Sequence, residues 1–252
     1  MKLVSVIIPY YKKERFIVET INSIIQQSYT NFEIIIIDDE LSETSSRVLA
    51  SLKKIDKRIS ILWNNKNIGA GLSRNRGIDY SKGEFIAFCD SDDLWKKDKL
   101  KTQIDFMMQN NLNLTFTGYD ILNEQNKLLG TRNAKTSKKF GDLIKSCDIG
   151  LSTVIIKKNL LIEKKLYFCD LITKEDYVLW LKLSKSGAVF HNLDIILSSW
   201  RKTNNSLSSA IFQKLVDGYR VYRNHLNYSK LISILCLIRL SLNYLLKTIK
   251  NV

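Results

Sequence analysis

The chain has 252 residues, 45% of them hydrophobic, and a formal net charge of +14. That length supports one α/β domain with a full core and a C-terminal extension, and a mean hydropathy of −0.11 excludes a protein that crosses a membrane many times. The four scattered cysteines show no CxxC or zinc-finger spacing, so they read as reduced cytosolic thiols.

Met1-Lys2 leads directly into strand-like Leu3–Pro9, too short for a secretory h-region, so no signal peptide is expected. Glu14–Gln27 has helical spacing through Phe16, Ile17, Ile21, Ile24 and Ile25. Phe32–Ile37 predicts a second strand, Ser45–Lys54 a helix, Ile59–Trp63 a third strand, Ala70–Tyr80 a helix and Glu84–Cys89 a fourth strand. Another helix is predicted to begin near Trp95. Short apolar strands alternating with helices argue for βαβ units and a mostly parallel sheet.

The second half is less regular. Asn113–Asp120, Lys127–Thr131 and Thr153–Lys157 read as strands, and Glu175–Ser186 as a helix closed by Gly187. Two further strands are expected near Ala188–His191 and Ile195–Trp200, then helix from about Leu207, broken near Asn227-Tyr228-Ser229.

Ligands of open parallel sheets bind beyond the carboxyl ends of the strands. Pro9-Tyr10-Tyr11, Asp38-Asp39 and Asp90-Ser91-Asp92-Asp93 each follow an apolar run directly, so three strand ends are expected to converge on one cleft. Crowded carboxylates repel unless a cation lies between them, and hard oxygen ligands suit Mg²⁺ or Mn²⁺ bridged to phosphate. A solvated acidic turn capping the next helix is the plainer alternative. Asn67–Gly77 is a glycine-bearing loop running into a helix, whose backbone and paired Arg74 and Arg76 could hold phosphate or simply cap the helix. Glu175-Asp176 opens a helix, as a general base in the cleft or as ordinary dipole chemistry.

Together these segments resemble glycosyltransferase family 2, the inverting enzymes of GT-A fold. The resemblance rests on Val4–Tyr11, Ser23–Asp39, Asn67-Ile68-Gly69, Ser73–Ile78, Gly83–Trp95, Lys174–Leu181 and, loosely, Trp200–Ser208, covering about residues 3 to 210. It implies an α/β catalytic domain over 1–206, with a nucleotide-binding half over 1–95 and an acceptor half over 96–206. A basic, amphipathic helical extension follows over 207–252. Pro9, Tyr11 and Asp39 would line the base pocket, and Arg74 or Arg76 would lie near the diphosphate or base. Asp90, Ser91 and Asp92 match the family's DxD motif, with Asp92 and Asp90 holding Mn²⁺ or Mg²⁺. Asp176 matches the catalytic base, supported by Glu175. The implied donor is a nucleotide sugar, UDP by default, and the implied acceptor a glycan or lipid-linked glycan. The C-terminal part is similar to bacterial enzymes of surface-polysaccharide, teichuronic-acid or lipooligosaccharide assembly.

Three positions depart from the family pattern: Lys12 replaces its usual Asn, Glu40 its usual Gly and Thr203 its frequent His. A nucleotidyltransferase would place glycines after the first strand, where Pro9-Tyr10-Tyr11-Lys12-Lys13 has none. A catalytically silent, nucleotide-sugar-binding subunit is the alternative from another class.

From Trp200 onward there are nine Lys/Arg against one acid, Asp217. Lys230–Lys247 is strongly apolar, but Arg239 interrupts it, which argues for a helix lying on an apolar surface rather than spanning a bilayer. That surface is an anionic inner membrane leaflet, the catalytic domain or a second subunit. The expected location is cytoplasmic, with peripheral membrane association following from the first of these options. No nucleic-acid-binding module is recognisable.

Overall fold

The computed structural model describes residues 1–203 and 211–250, so the expected helix start at Leu207, the 206/207 boundary and the loose match over 204–208 lie outside the described residues. The elements are β1 (Val4–Tyr10), α1 (Glu14–Ile25), β2 (Phe32–Asp38), α2 (Glu43–Ile55), β3 (Ile59–Trp63), α3 (Ala70–Tyr80) and β4 (Phe85–Phe88). They continue with β5 (Leu94–Trp95), α4 (Lys99–Gln109), β6 (Leu114–Leu122), β7 (Leu128–Arg132), α5 (Phe140–Leu143), β8 (Ile155–Lys157) and α6 (Lys158–Glu163). Last come α7 (Glu175–Lys185), β9 (His191–Arg201), α8 (Ile211–Arg220), a π turn (Val221–His225) and α9 (Lys230–Lys250).

Among the described residues the sheet runs β3-β2-β1-β4-β8-β6-β9-β5, with β7 added to β6. Strands β1 to β4 form a parallel half, in which Val4 pairs with both Phe32 and Phe85. Beyond β4 the sheet mixes directions: β8 is antiparallel to β4 and β6, while β9 runs parallel to β6. Because side chains alternate along a strand, each parallel strand feeds two cores. Val4, Val6, Ile8, Ile34 and Ile36 pack with Ile17, Ile21 and Leu49 on one face. Ile7, Ile35 and Ile37 pack with Ile78, Phe88 and Trp180 on the other. A Cβ at Gly77 would lie 2.6 Å from Ile7, so its absence lets α3 press onto β1.

Two expectations are corrected. No helix begins near Trp95. Leu94–Trp95 is a short strand on the end of β9, and the helix starts only at Lys99. Trp95 is 5% exposed, and its indole N–H donates to the Ser152 carbonyl at 3.0 Å, so burial of the aromatic ring fixes extended backbone there. The two strands expected over 188–200 are one, β9. Its register against β6 jumps from Thr117↔Leu193 to Gly118↔Ile196, so exposed Asp194 and Ile195 form a bulge rather than a loop. A Cβ at Gly118 would lie 2.6 Å from Ile196, so glycine leaves the space the bulge needs.

The C-terminal helices pack on the α/β fold. Val221, Tyr222, Leu226 and Leu240 join the core that holds α7, while Gly218 lets α8 approach Leu237 of α9. The expected break falls at Asn227, which has φ 59. Among the described residues no helix is long and apolar enough to cross a membrane.

Candidate active site

The carboxyl ends of β1, β2 and β4 open onto a cleft of about 790 Å³, closed on its far side by the start of α7 and the end of β9. Pro9, Tyr11, Asp39, Arg74, Asp90, Ser91, Asp92, Glu175 and Asp176 all line it. Arg76 does not line it.

The acid doublet after β2 divides its work. Asp38 turns inward, accepting from the Ser45 hydroxyl at 2.8 Å and the Glu40 N–H at 3.0 Å, and so pins the start of α2. Asp39 faces the cleft and organises the loop before α3. Its Oδ1 accepts from Asn64 at 2.6 Å and the Ile68 N–H at 2.8 Å, and its Oδ2 from the Gly69 N–H at 2.8 Å. A carboxylate offers about four lone-pair sites, so Oδ2 keeps one for a ligand. Gly69 has φ 83, a conformation that costs glycine little.

The two arginines of α3 also part company. Arg74 is 3% exposed and bridges the cleft floor, donating to Asp90 Oδ1 and Glu175 Oε1 at 2.7 Å each. Burial opposes its charge, but Asp90 and Glu175 more than offset that and hold the guanidinium above its ordinary value. Arg76 donates to the Trp63 carbonyl at 3.0 Å and to the Asn64 side chain, so it supports Asp39 only at second hand. Gly71 lets α3 approach the Cys169 carbonyl and Glu175 more closely than a Cβ would allow.

Of the acids after β4, Asp90 and Asp92 face the cleft. Asp93 turns into the protein, accepting from the Ser152 hydroxyl and the Arg201 N–H. Asp92 pairs with Lys13 at 2.6 Å, and Lys13 also donates to the Thr203 hydroxyl at 3.0 Å. Burial raises Asp92 despite Lys13, and raises Asp93 well above its ordinary value with Asp90 and Asp92 adding to the effect.

Asp90 and Asp92 are the hard oxygen donors that suit a Mg²⁺- or Mn²⁺-sized cation. Among the described residues no cage of three or more acidic, histidine or cysteine side chains exists. Two carboxylates completed by substrate phosphates are a normal arrangement for such ions, so the residues fit a metal that arrives with a diphosphate.

At the start of α7, Glu175 is buried and Asp176 half-buried. Burial pushes Glu175 up to about 7 against the pull of Arg74, and raises Asp176 against Lys174 and Arg74. Lys174 holds a left-handed φ of 68 immediately before the helix. Burial pushes the cleft-lining Cys147 thiol up to about 12, which makes it a poor nucleophile.

The three departures from the family pattern make specific contacts. The Lys12 N–H donates to Glu40 Oε2 at 2.9 Å, so two departures meet at the rim. Lys12 has φ 50, a conformation that asparagine adopts more readily than lysine. Thr203, the third, holds Lys13.

Sequence reasoning missed several groups. Lys13 was hidden in a pair of lysines. Arg201 is 1% exposed and lines the cleft; its Nη2 binds Glu19 and Asn126, and among the described residues its Nε and Nη1 have no partner. Fully buried Asp217 of α8 accepts from both the N–H and the hydroxyl of Thr173 at 3.0 Å, two residues before Glu175. As the only acid in the basic tail, it was the one signal the sequence offered.

Fold and site together define an α/β protein with one acid-lined cleft at the ends of its parallel strands. The chain belongs to glycosyltransferase family 2, and it is a glycosyltransferase. The sequence profile of glycosyl transferase family 2 matches residues 5–167. TuaG of Bacillus subtilis (strain 168), a glycosyltransferase named for teichuronic acid biosynthesis, is 34% identical over 222 residues, covering 88% of this chain and 87% of TuaG. The UDP-Glc:α-D-GlcNAc-diphosphoundecaprenol β-1,3-glucosyltransferase WfgD of Escherichia coli is 36% identical over 214 residues, covering 84% of this chain and 82% of WfgD. The crystal structure of S. aureus TarS 1-349 in complex with UDP-GlcNAc superposes with a TM-score of 0.73 at 21% identity, covering 94% of this chain and 70% of that one. The shared architecture is the GT-A fold.

Proposed function

We propose that this enzyme moves a sugar from a UDP-sugar to a hydroxyl of a lipid-linked bacterial surface glycan, in one metal-assisted displacement that inverts the anomeric carbon. The observation that carries the reading is the single cleft onto which Asp39, the Asp90/Asp92 pair and Asp176 all open. WfgD and TuaG support the choice of substrates, since one is named for a UDP-sugar donor and a diphosphate-lipid acceptor and the other for a cell-surface polymer.

Asp39, held rigid by the loop before α3, offers its remaining lone pair to the base or ribose, with Pro9 and Tyr11 beside it. Arg74 fixes Asp90 and Glu175 relative to one another across the cleft floor. Asp92 and Asp90 would hold Mn²⁺ or Mg²⁺, which when bound stabilises the charge developing on the departing diphosphate. Asp176 takes the proton from the acceptor hydroxyl as it attacks the face opposite the leaving group. Its burial moves it upward, towards the range in which a carboxylate is an effective base near neutral pH. Glu175 orients the start of α7 through Arg74. We place the enzyme in the cytoplasm, with α8 and α9 resting on the anionic inner surface of the membrane.

The test is a binding and hydrolysis screen against UDP-, GDP- and dTDP-sugars with Mn²⁺, run with Asp92→Ala alongside. Metal-dependent release of UDP that disappears in the variant is expected. Absence of binding to every nucleotide sugar would sink the assignment.

A further inference from the structure

The geometry points to a second anion site in the cleft, formed by Lys174 and Lys214 with the exposed Lys202 at its margin, that takes the phosphate or diphosphate carried by the acceptor. This rests on the reading of Asp176 as the base.

The three lysines arrive from separate elements: the loop before α7, the segment after β9 and the first turns of α8. Lys174 and Lys214 line the cleft. Burial lowers Lys214 from its ordinary value, and the charges of Lys174 and Lys202 lower it further. Among the described residues none of the three forms an ion pair with a carboxylate. The Lys174 and Lys214 ammonium groups instead lie over the rings of Tyr177 and Tyr244 respectively, each 6.0 Å from the ring centre. Gathering like charges is unfavourable, and here no protein acid lies within ion-pair distance to offset it. By contrast, Lys13 and Arg74, on the donor side, are both neutralised by carboxylates. Asp176 is lowered by Lys174, Asp170 also lines the cleft, and the buried Asp217 of α8 is engaged by Thr173.

Position decides which molecule supplies the anion. Lys174 is two residues from Asp176, and Asp217 of α8 holds the adjacent Thr173, so Lys174 and Lys214 flank the point where the attacking hydroxyl must sit. Lys202, by contrast, lies next to Thr203, which holds the Lys13–Asp92 pair of the donor side. An anion here belongs to the molecule bearing that hydroxyl. A sugar joined to its lipid through a diphosphate satisfies this, presenting hydroxyl and negative charge a few bonds apart. A phospholipid headgroup has the same phosphate chemistry, and the two sources are separable by experiment.

Two measurements test the inference on the full chain. The first is calorimetric binding of inorganic pyrophosphate to protein saturated with UDP and Mn²⁺. Wild type is expected to bind, and K202A/K214A to bind at least tenfold more weakly, as loss of charge-assisted hydrogen bonds implies. Lys214→Arg in the K202A background, which keeps one charge, is expected to recover part of the affinity. Wild-type binding no tighter than that of the double variant would overturn the site.

The second compares transfer to a GlcNAc-diphospho-lipid with transfer to the same sugar as a neutral alkyl glycoside, in neutral detergent micelles. The preference for the charged acceptor, as a ratio of kcat/KM values, is expected to fall about tenfold or more in K202A/K214A. An unchanged ratio overturns the inference. So does a loss seen only in vesicles containing phosphatidylglycerol, which would assign the site to a headgroup. Pyrophosphate binding that is retained without transfer to either acceptor would sink the proposed function and leave the anion site standing.

Discussion

Lys13 and Asp92 meet at 2.6 Å, so the cleft already holds a cation against the carboxylate assigned to the metal. Replacing Asp92 by alanine removes that carboxylate and leaves Lys13 with Thr203 alone. Turnover is expected to fall about 10²- to 10³-fold, the size of losing one preorganised electrostatic contact, and UDP affinity measured with Mn²⁺ to fall with it. Glu175 gives a pH signature. Its carboxyl is raised from 4.5 to about 7 in the fold, so the folded chain keeps a proton there that the unfolded chain has released. Stability therefore falls as pH rises through that window, by at most about 1.4 kcal/mol per pH unit for one proton. Asp92 and Asp176 are raised too and act in the same sense. Melting temperature against pH should show this decline, and Glu175→Gln should make it shallower. An identical slope in the variant would contradict the assignment.

At the level of elements, α7 carries Glu175 and the proposed base Asp176 and is held from behind. Its Tyr177 hydroxyl donates to the Leu143 carbonyl at 2.7 Å and sits 3.1 Å from the Tyr222 hydroxyl. Asp217 of α8 holds the preceding Thr173 by two hydrogen bonds. Asp217→Ala would strand both donors in a buried setting, a loss of about 1–3 kcal/mol each where no water replaces the carboxylate. The melting temperature should drop, and kcat should fall more than the KM for the donor, because the nucleotide half of the cleft lies on β1, β2 and β4. Asp217→Asn keeps an acceptor oxygen and should recover much of the loss. A donor KM that rises as steeply as kcat falls would show that the clamp serves the whole cleft. The second-half strands behave differently: Trp95 and the β9 bulge took shapes that local pattern did not foretell, because each is decided by what packs against it.

For the molecule as a whole, α9 divides its faces. Ser233 and Leu240 are buried, with Cys236 partly covered between them, whereas Leu231, Leu235, Ile238, Leu242 and Leu245 are about half or more exposed. Phe212 of α8, 79% exposed, extends that apolar surface. With Ile232, Ile234, Tyr244 and Leu246 also about half exposed, the surface is broader than the two-in-seven seam of a coiled coil, and its flanking Lys230 and Arg239 would repel a second copy while attracting anionic lipid. Sedimentation with vesicles should show binding that increases with phosphatidylglycerol content and weakens with salt. Leu235→Glu/Ile238→Glu should release the protein without changing its affinity for UDP. Equal recovery in the supernatant with and without anionic vesicles would remove the membrane from the account.

By itself the sequence determined the parallel half of the sheet and the acids at its strand ends. Those features are local: an unbroken apolar run such as Ile34–Ile37 admits few structures besides a buried strand, and acids directly after it can only lie at its carboxyl end. The family motifs, too, are short runs of adjacent residues. Only the tertiary structure decided which of two neighbours faces the cleft, sending Asp39 and Arg74 in and Asp38 and Arg76 away. It alone joined Arg74 to Glu175 across 101 positions and Lys13 to Thr203 across 190. It also brought Lys174 and Lys214 to one cleft and buried the tail's single acid against the loop before α7. Contacts at such separations depend on how helices pack on the sheet, and packing is a property of volumes and faces that no local spacing encodes.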